Sequence, residues 1–278
     1  MTVLDTKITR LAKLLTDLKR VVVCFSGGVD SSYLLAEAVR ALGDRAVALT
    51  AVSPSLAPEE RAAAQHLAES LGARHLIVET YELDDPRYAA NPVNRCYFCK
   101  SEVYGQAVRE AARLGISHVL DGFNLDDRGD YRPGHQAAKE QGVRSPLDEL
   151  KFTKVDIRAA ARRLSLPVWD KLPLACLSSR FPYGTTITPE RLTKVAACER
   201  TLQKLGFQVC RVRYHGSTAR IEVRPADIPR LSEPAIFSEV VKKFQATGFT
   251  RVDIDPQGYR QGSLNEITTV PVRGFDLR

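Results

Sequence analysis

Apolar runs alternate with amphipathic stretches along the first part of the chain. The run at 21–25 ends at a pair of glycines, and a second run covers 46–52. Short apolar runs predict strands buried on both faces, and apolar residues at every third or fourth position predict helices. The predicted strands are 21–25, 46–52, 75–80 and 117–123, and the predicted helices are 6–18, 33–42, 58–71, 101–114 and 154–164. This alternation predicts an α/β fold with a doubly wound parallel sheet, whose ligand lies at the carboxyl ends of the strands.

The pattern changes after residue 167, where two prolines bracket the single tryptophan, Trp169. We place the domain boundary here, with a larger α/β domain at 1–167 and a smaller α+β domain at 168–278. The second half has predicted helices at 189–205 and 238–247 and predicted strands at 207–214, 218–224 and 250–254. The short 215–217 connection predicts a hairpin, so we expect this half to be antiparallel.

The glycine pair after the first strand predicts a phosphate cradle. Gly27 and Gly28 lack the Cβ atoms that would keep an anion away from the backbone N–H groups at a helix start. Ser26, Ser31 and Ser32 add hydroxyl groups. The loop has neither the lysine of a Walker A motif nor the spacing of a dinucleotide fingerprint. The alternative is an ordinary strand-to-helix turn made of small residues.

A second loop, 121–134, follows the fourth predicted strand and is rich in carboxylates and glycine, Gly122 among them. We expect it on the same side of the sheet as the cradle, where it would suit a nucleotide and Mg²⁺. A solvated acidic turn is the alternative.

Six cysteines occur in the chain. Cys96 and Cys99 form a CxxC pair in a predicted loop before a helix, and Cys176 follows in a separate motif. Three thiolates can hold three irons of a 4Fe-4S cluster and leave the fourth iron open. A redox pair and part of a zinc site are equal alternatives on spacing alone. The other three, which lie in predicted helices or strands and are expected to be packing thiols, are Cys24, Cys198 and Cys210.

Two arginines mark the predicted hairpin. Arg211 and Arg213 alternate with apolar residues, which places both guanidinium groups on one face of a strand. Guanidinium binds phosphate bidentately, so we expect this pair to bind a phosphate monoester and not a protein carboxylate. An exposed sheet face with weak ion pairs is the alternative.

The 278-residue chain has a formal net charge of +7 and a pI near 9.1. These values favour anionic partners, and a nucleotide or RNA would both fit. We find no run of 18 apolar residues and no signal-peptide pattern, so we expect a cytoplasmic protein without a membrane partner.

Together these motifs resemble the LarE family, which belongs to the PP-loop ATP pyrophosphatase superfamily. The resemblance covers nearly the whole chain, and its most specific part surrounds Cys176. The motifs are SGGVDSS at 26–32, NRCYFCK at 94–100, DGFNLDD at 121–127, DYRPG at 130–134, SPLDEL at 145–150, WDKLPLACLSSRFPYGTTIT at 169–188, RVRYH at 211–215 and GYRQGSLNE at 258–266.

The resemblance implies that residues 1–167 form a PP-loop domain and that the protein is an ATP-dependent sulfurtransferase of nickel-pincer cofactor biosynthesis, whose cofactor serves lactate racemase. Such an enzyme adenylylates the carboxylates of pyridinium-3,5-biscarboxylic acid mononucleotide, releases pyrophosphate and forms thiocarboxylates. One branch of the family sacrifices the sulfur of the cysteine that matches Cys176. Another branch has two extra cysteines and delivers sulfide from a 4Fe-4S cluster. This chain resembles the second branch, with Cys96, Cys99 and Cys176 as cluster ligands and an external sulfide or sulfur donor.

Further roles come from the same resemblance. ATP would be bound by Ser26, Gly27, Gly28, Asp30, Ser31, Ser32 and Gly122. Asp30 would also hold Mg²⁺, so Asp30 and Cys176 are the implied catalytic residues. The substrate phosphate would be bound by Ser179, Arg180, Arg211 and Arg213, with Glu199 and Glu222 as candidate carboxylates near the sulfur site. The family also implies a homo-oligomer, reportedly a hexamer.

Two other functions fit part of this pattern. A tRNA thiolase of the same superfamily can combine the same loop with three cysteines, but no added RNA-binding module is evident here, so a nucleic-acid partner is not expected. A non-catalytic nucleotide-binding regulator would keep the cradle without chemistry, and an assay of ATP conversion to AMP separates it from both enzymes.

Overall fold

A computed structural model describes residues 2–129, 133–172 and 175–260, and the chain divides into two compact units. The first unit comprises Met1–Tyr88 and Val93–Leu174, and the second comprises Ala89–Pro92 and Ala175–Arg278. Several motif residues, at 130–132, 173–174 and 261–266, lie outside the described residues.

The part of the chain up to residue 163 alternates helices and strands largely as predicted. In chain order these are α1 (Val3–Leu18), β1 (Val21–Cys24), α2 (Val29–Leu42), β2 (Ala46–Val52), α3 (Pro58–Ser70), β3 (Arg74–Glu79), α4 (Pro86–Ala89), α5 (Arg95–Arg113), β4 (Val119–Leu120), α6 (Pro133–Glu140), α7 (Pro146–Glu149) and α8 (Lys154–Arg163). None of the helices in the described ranges is long and apolar enough to cross a membrane.

The first unit contains a parallel sheet with the strand order β3-β2-β1-β4. Alternate residues of β1 enter two apolar clusters: Val21 and Val23 pack with α1, α2 and α8, while Val22 packs with α5 and α6. The sheet is therefore covered on both faces, and the predicted parallel α/β fold is confirmed.

Strand β4 is much shorter than the predicted 117–123. Its pairing with β1 ends at Leu120, and the next N–H group, that of Asp121, donates to the Arg144 carbonyl at 2.9 Å. The chain therefore leaves β1 before Gly122, which frees the following loop to approach the cradle.

The second unit is an α+β fold with a three-stranded sheet. Its helices and strands are α9 (Pro189–Lys204), β5 (Cys210–His215), β6 (Thr218–Val223), α10 (Ile228–Leu231), α11 (Pro234–Ala246) and β7 (Arg251–Ile254). Strands β5 and β6 form the predicted antiparallel hairpin, but β7 pairs parallel with β6. The expectation of a wholly antiparallel half is therefore wrong, because α11 provides the crossover that a parallel pair needs.

The two units divide the chain at other residues than the predicted boundary after residue 167. Val168 and Trp169 pack against the core of the first unit, and Arg158 donates to the carbonyls of Trp169 and Lys171 at 2.9 and 2.8 Å. Val168, Trp169 and Lys171 lie within the predicted second domain, 168–278. In the second unit, the Ala89 carbonyl accepts a 2.8 Å bond from the Ile187 N–H group, which explains why 89–92 group with that unit.

Candidate functional site

The predicted cradle lies between β1 and α2 and requires its first glycine. Gly27 has φ +71°, and a Cβ atom at this position would lie 3.1 Å from the Cβ of Ala64 in α3. Gly28 is the N-cap of α2 and has no side chain to bond the helix start. The first N–H groups of α2 therefore remain available to an anion, and the positive end of the helix favours one.

The three predicted serines have different surroundings. The Ser31 hydroxyl donates to the Gly28 carbonyl at 3.2 Å and lies 3.2 Å from the Ser26 hydroxyl. These two hydroxyls therefore hold the turn in shape. The Ser32 hydroxyl is buried and has no hydrogen-bond partner in the described part of the chain.

The two carboxylate oxygen atoms of Asp30, in the first turn of α2, have different surroundings. Its Oδ2 accepts a bond from the Lys154 ammonium of α8, whereas its Oδ1 is buried with no partner among the described residues. Burial raises the pKa of the Asp30 carboxyl and the negative charge of Asp127 adds to this shift, while Lys154 opposes it. An unpartnered carboxylate oxygen beside a phosphate cradle suits Mg²⁺, which prefers oxygen ligands, so the residues present fit this cation.

The loop after β4 lies against the cradle, as its position at a strand end predicts. A Cβ atom on Gly122 would lie 2.9 Å from the Ser31 nitrogen, so only glycine permits this approach. The preceding residue, Asp121, is buried and accepts hydrogen bonds of 2.7 Å from both Tyr104 and Ser145. These bonds fix the loop at the point where it meets α2.

Sequence reasoning missed two lysines at the cradle. Lys154 contacts Asp30, and the Lys171 ammonium lies 2.9 Å from a Glu60 oxygen and 3.4 Å from the Gly27 carbonyl. Their sequence signals are weak: Lys154 follows a helix N-cap, Thr153, and Lys171 lies in the segment interpreted as a linker. Only the fold brings them to the glycine pair.

The CxxC pair lies on a helix, and its predicted placement in a loop is wrong. Helix α5 begins at Arg95, so Cys96 and Cys99 occupy its first turns, three residues apart and on one face. Cys96 is exposed and Cys99 is partly exposed. No group of three His, Cys, Asp or Glu side chains within the described ranges is placed to hold a metal ion. The pair can therefore offer two thiols to a cluster, and a third ligand has to be supplied separately.

In the second unit, Cys176 is exposed and precedes a short 3-10 turn, Leu177–Arg180. Arg180 holds this segment: its Nη1 donates to the carbonyls of Ala175 and Cys176 at 2.8 and 3.0 Å and to the Ser179 hydroxyl at 2.9 Å. The Cys176 backbone is therefore fixed by the guanidinium while its thiol faces solvent.

The predicted phosphate-binding arginines are largely paired with the predicted carboxylates. Arg180 binds both carboxylate oxygens of Glu199 at 2.9 Å, and Arg213 binds those of Glu222 at 2.9 and 2.8 Å. The expectation that Arg213 is not bound to a protein carboxylate is therefore wrong. A buried guanidinium needs an opposite charge, because burial without one is very costly.

Arg211 differs from these two arginines. Among the described residues it makes no ion pair; its Nη1 donates to the Cys210 carbonyl at 2.8 Å, and its guanidinium lies 5.3 Å from the Tyr259 ring centre. Burial lowers the pKa of Arg211, and the positive charge of Arg180 adds to this shift. Glu199 opposes the shift without contacting Arg211, so this guanidinium is suited to an anionic ligand.

Comparison with known proteins agrees with this fold and site. The asparagine synthase family model matches residues 11–97, which include β1, the cradle and β3. The pyridinium-3,5-bisthiocarboxylic acid mononucleotide synthase of Lactiplantibacillus plantarum is 40% identical over 271 residues, which cover 97% of each chain.

Two uncharacterised proteins are also similar. One from Synechocystis is 47% identical over 266 residues, covering 96% of this chain and 99% of its own. One from Methanocaldococcus jannaschii is 29% identical over 245 residues, covering 87% of this chain and 91% of its own. The full-length match to the Lactiplantibacillus plantarum synthase, over a parallel sheet with a PP-loop cradle, shows that this chain belongs to the LarE family of the PP-loop superfamily.

Proposed function

We propose that this protein is an ATP-dependent sulfurtransferase that converts the carboxylates of pyridinium-3,5-biscarboxylic acid mononucleotide into thiocarboxylates, a step of nickel-pincer cofactor biosynthesis. The observation that carries the proposal is the 40% identity to the synthase of Lactiplantibacillus plantarum, which extends over both units. The cradle would supply one of the two anion-binding sites that this reaction needs, and Arg180, Arg211 and Arg213 would supply the other.

The first step activates a poor electrophile. A carboxylate resists attack by sulfur until AMP becomes its leaving group, so the enzyme transfers the adenylyl group of ATP to the substrate and releases pyrophosphate. The N–H groups at the start of α2 would hold the phosphates, and Gly122 would keep the loop after β4 close to them. Asp30 would hold Mg²⁺ through Oδ1, and the bound cation supplies positive charge to the phosphates.

The second unit would bind the substrate phosphate. In this proposal the phosphate lies against Arg211 and the Ser179 hydroxyl, flanked by Arg180 and Arg213. The two flanking guanidinium groups are neutralised by Glu199 and Glu222, so Arg211 supplies the net attraction. Arg180 also donates to the Cys176 carbonyl, so the same guanidinium would link the phosphate site to the segment that carries the exposed Cys176.

For the sulfur, we propose a 4Fe-4S cluster with Cys96, Cys99 and Cys176 as its ligands. The exposure of Cys96 and Cys176 and the helical spacing of Cys96 and Cys99 support it. When bound, such a cluster offers an iron without a protein ligand, where sulfide from an external donor can bind. The competing possibility is that Cys176 gives up its own sulfur.

Two further features belong to this proposal. The buried Cys198 and Cys210 are thiols, which suits the reducing cytoplasm. We also propose that the protein forms a homo-oligomer, and sedimentation velocity distinguishes a hexamer from smaller assemblies.

Incubation of the protein with ATP, Mg²⁺ and the biscarboxylate mononucleotide tests the adenylylation step. We expect AMP and pyrophosphate, and Asp30→Asn should abolish both because it removes the charge that holds the cation. Release of pyrophosphate with tRNA but not with the mononucleotide would favour the thiolase. No release of pyrophosphate with either compound would favour the non-catalytic nucleotide-binding regulator.

The sulfur source is tested separately on protein purified without oxygen. We expect about four irons and four sulfides per chain and their loss on single replacement of Cys96, Cys99 or Cys176 by Ala. Dehydroalanine at position 176 after one turnover, with Cys96→Ala fully active, would contradict the cluster and leave the adenylylation step intact.

A further inference from the structure

Lys154 places its positive charge beside Asp30, where the proposed divalent cation would bind. Its ammonium binds Oδ2 of Asp30, while Oδ1 of the same carboxylate is buried without a partner among the described residues. A partly buried carboxylate beside a second acidic residue, Asp127, needs positive charge nearby, and the lysine meets part of that need.

The backbone of Lys154 is fixed while its ammonium is not. Its N–H group donates to Asp126 at 2.7 Å, and the preceding N-cap, Thr153, forms a capping box with Asp156. By contrast, the Lys154 side chain keeps 34% of its surface exposed. The four-carbon stem can therefore carry the ammonium to a new partner without any movement of α8.

The Asp30 carboxylate cannot bind a divalent cation and the Lys154 ammonium equally well. A divalent ion at Asp30 would be repelled by an ammonium in contact with Oδ2, and the ammonium would lose its main attraction once the ion had neutralised the carboxylate. Meanwhile the phosphates of a nucleotide at the start of α2 would offer new oxygen acceptors close by. The stable arrangement with metal and nucleotide therefore has the lysine on the phosphates.

We propose that Lys154 is an exchangeable counter-ion of Asp30: it neutralises the carboxylate in the free protein, is displaced from it by the divalent cation, and then binds the nucleotide phosphates. This inference rests on the proposed function, since it takes ATP as the ligand of the cradle. It adds a positioning and phosphate-binding role for a residue outside the glycine motif.

Two binding affinities of the Lys154→Met variant, for Mn²⁺ and for ATP, test this exchange. The affinity for Mn²⁺ without nucleotide, followed by the electron paramagnetic resonance signal of the free ion, should rise about threefold or more, because the competing ammonium is gone. The affinity for ATP at saturating Mg²⁺, measured by calorimetry, should fall about tenfold or more, because the phosphates lose the ammonium that the cation had displaced from Asp30. A purely structural lysine would instead lower both affinities.

Lys171→Met is the matched control, because this lysine also lies at the cradle but is bound to Glu60 and not to Asp30. Its removal should leave the Mn²⁺ affinity within about twofold of the original protein, since no competitor leaves Asp30. A rise as large as that of Lys154→Met would mean a general charge effect and would overturn the exchange. Unchanged or reduced Mn²⁺ affinity in Lys154→Met would overturn it as well.

The outcome also separates this inference from the proposed function. If the original protein binds no ATP, the proposed function fails. If it binds ATP but the two affinities of Lys154→Met do not shift in opposite directions, only the exchange fails. Thermal unfolding of each variant shows that the first unit is still folded.

Discussion

Arg213 and Glu222 form a bidentate ion pair within the smaller sheet, with N–O distances of 2.9 and 2.8 Å. Their side chains are only 9% and 4% exposed. Arg213 stands directly opposite Arg220 on β6, so without Glu222 two guanidinium groups would face each other across the strands. This pair therefore has a structural task whatever ligand the sheet binds.

Removal of one member of this pair should destabilise the second unit strongly. Arg213→Ala or Glu222→Ala leaves a buried charge without its partner, and we expect either to lower the free energy of unfolding by about 3–5 kcal/mol. Urea denaturation measures the loss. Lys13→Ala, in an exposed pair with Asp17, is the control and should cost no more than about 1 kcal/mol. Equal losses at both pairs would contradict the structural role of Arg213.

Arg211→Ala should weaken substrate binding but leave the stability of the fold nearly unchanged. Because Arg211 has no carboxylate partner in the described ranges, its loss should change the free energy of unfolding little. Binding of the biscarboxylate mononucleotide should weaken by about 1.5–3 kcal/mol, the value of a charge-assisted hydrogen bond. Calorimetry with the mononucleotide and with ATP separates the effects. Equal weakening of both ligands would indicate damage to the fold and not a phosphate contact.

Gly122→Ala should damage the cradle without touching a ligand directly. The new Cβ would lie 2.9 Å from the Ser31 nitrogen, so α2 or the loop after β4 has to move. We expect a loss of about 1–3 kcal/mol in stability together with weaker ATP binding.

Gly105→Ala is the matched control for that change. Gly105 lies inside α5, and its added Cβ would meet only the Arg109 side chain, at an ordinary 3.6 Å. Alanine is the better helix former by about 0.8–1 kcal/mol, so stability should rise slightly and ATP binding should not change. Intact ATP binding in Gly122→Ala would mean that the close approach has no role at the cradle.

The cysteines should fall into two classes of reactivity. Burial raises the pKa of the Cys24 and Cys210 thiols to about 12 and that of Cys198 to about 11. Their reactive thiolates therefore form only above about pH 11 while the protein is folded, and they should resist iodoacetamide at pH 8. Exposed Cys96 and Cys176 should react within the same period in protein from which any cluster has been removed.

Mass spectrometry after timed quenching assigns the modified positions. Addition of urea should abolish the difference, because the unfolded thiols regain ordinary pKa values near 8.5. Rapid labelling of Cys24 in the folded protein would contradict the raised pKa of its thiol.

The sequence by itself determined the local features. The apolar runs gave the order of strands and helices. The predicted helices 154–164 and 189–205 begin directly after the N-caps Thr153 and Thr188, and the segment around the glycine pair predicted an anion site at a helix start. These features depend on residues within one or two turns of each other, so the chain pattern contains the information that fixes them.

Only the tertiary structure decided which distant charges meet. Lys154 lies far along the chain from Asp30, and the partners of Arg180 and Arg213 could not be chosen from sequence, because any of several carboxylates could neutralise them. The same holds for β7: whether it joins β6 parallel or antiparallel depends on how α11 crosses the sheet. Such pairings are set by the packing of whole elements and by the need to neutralise buried charge, and both act across sequence distances that no local pattern spans.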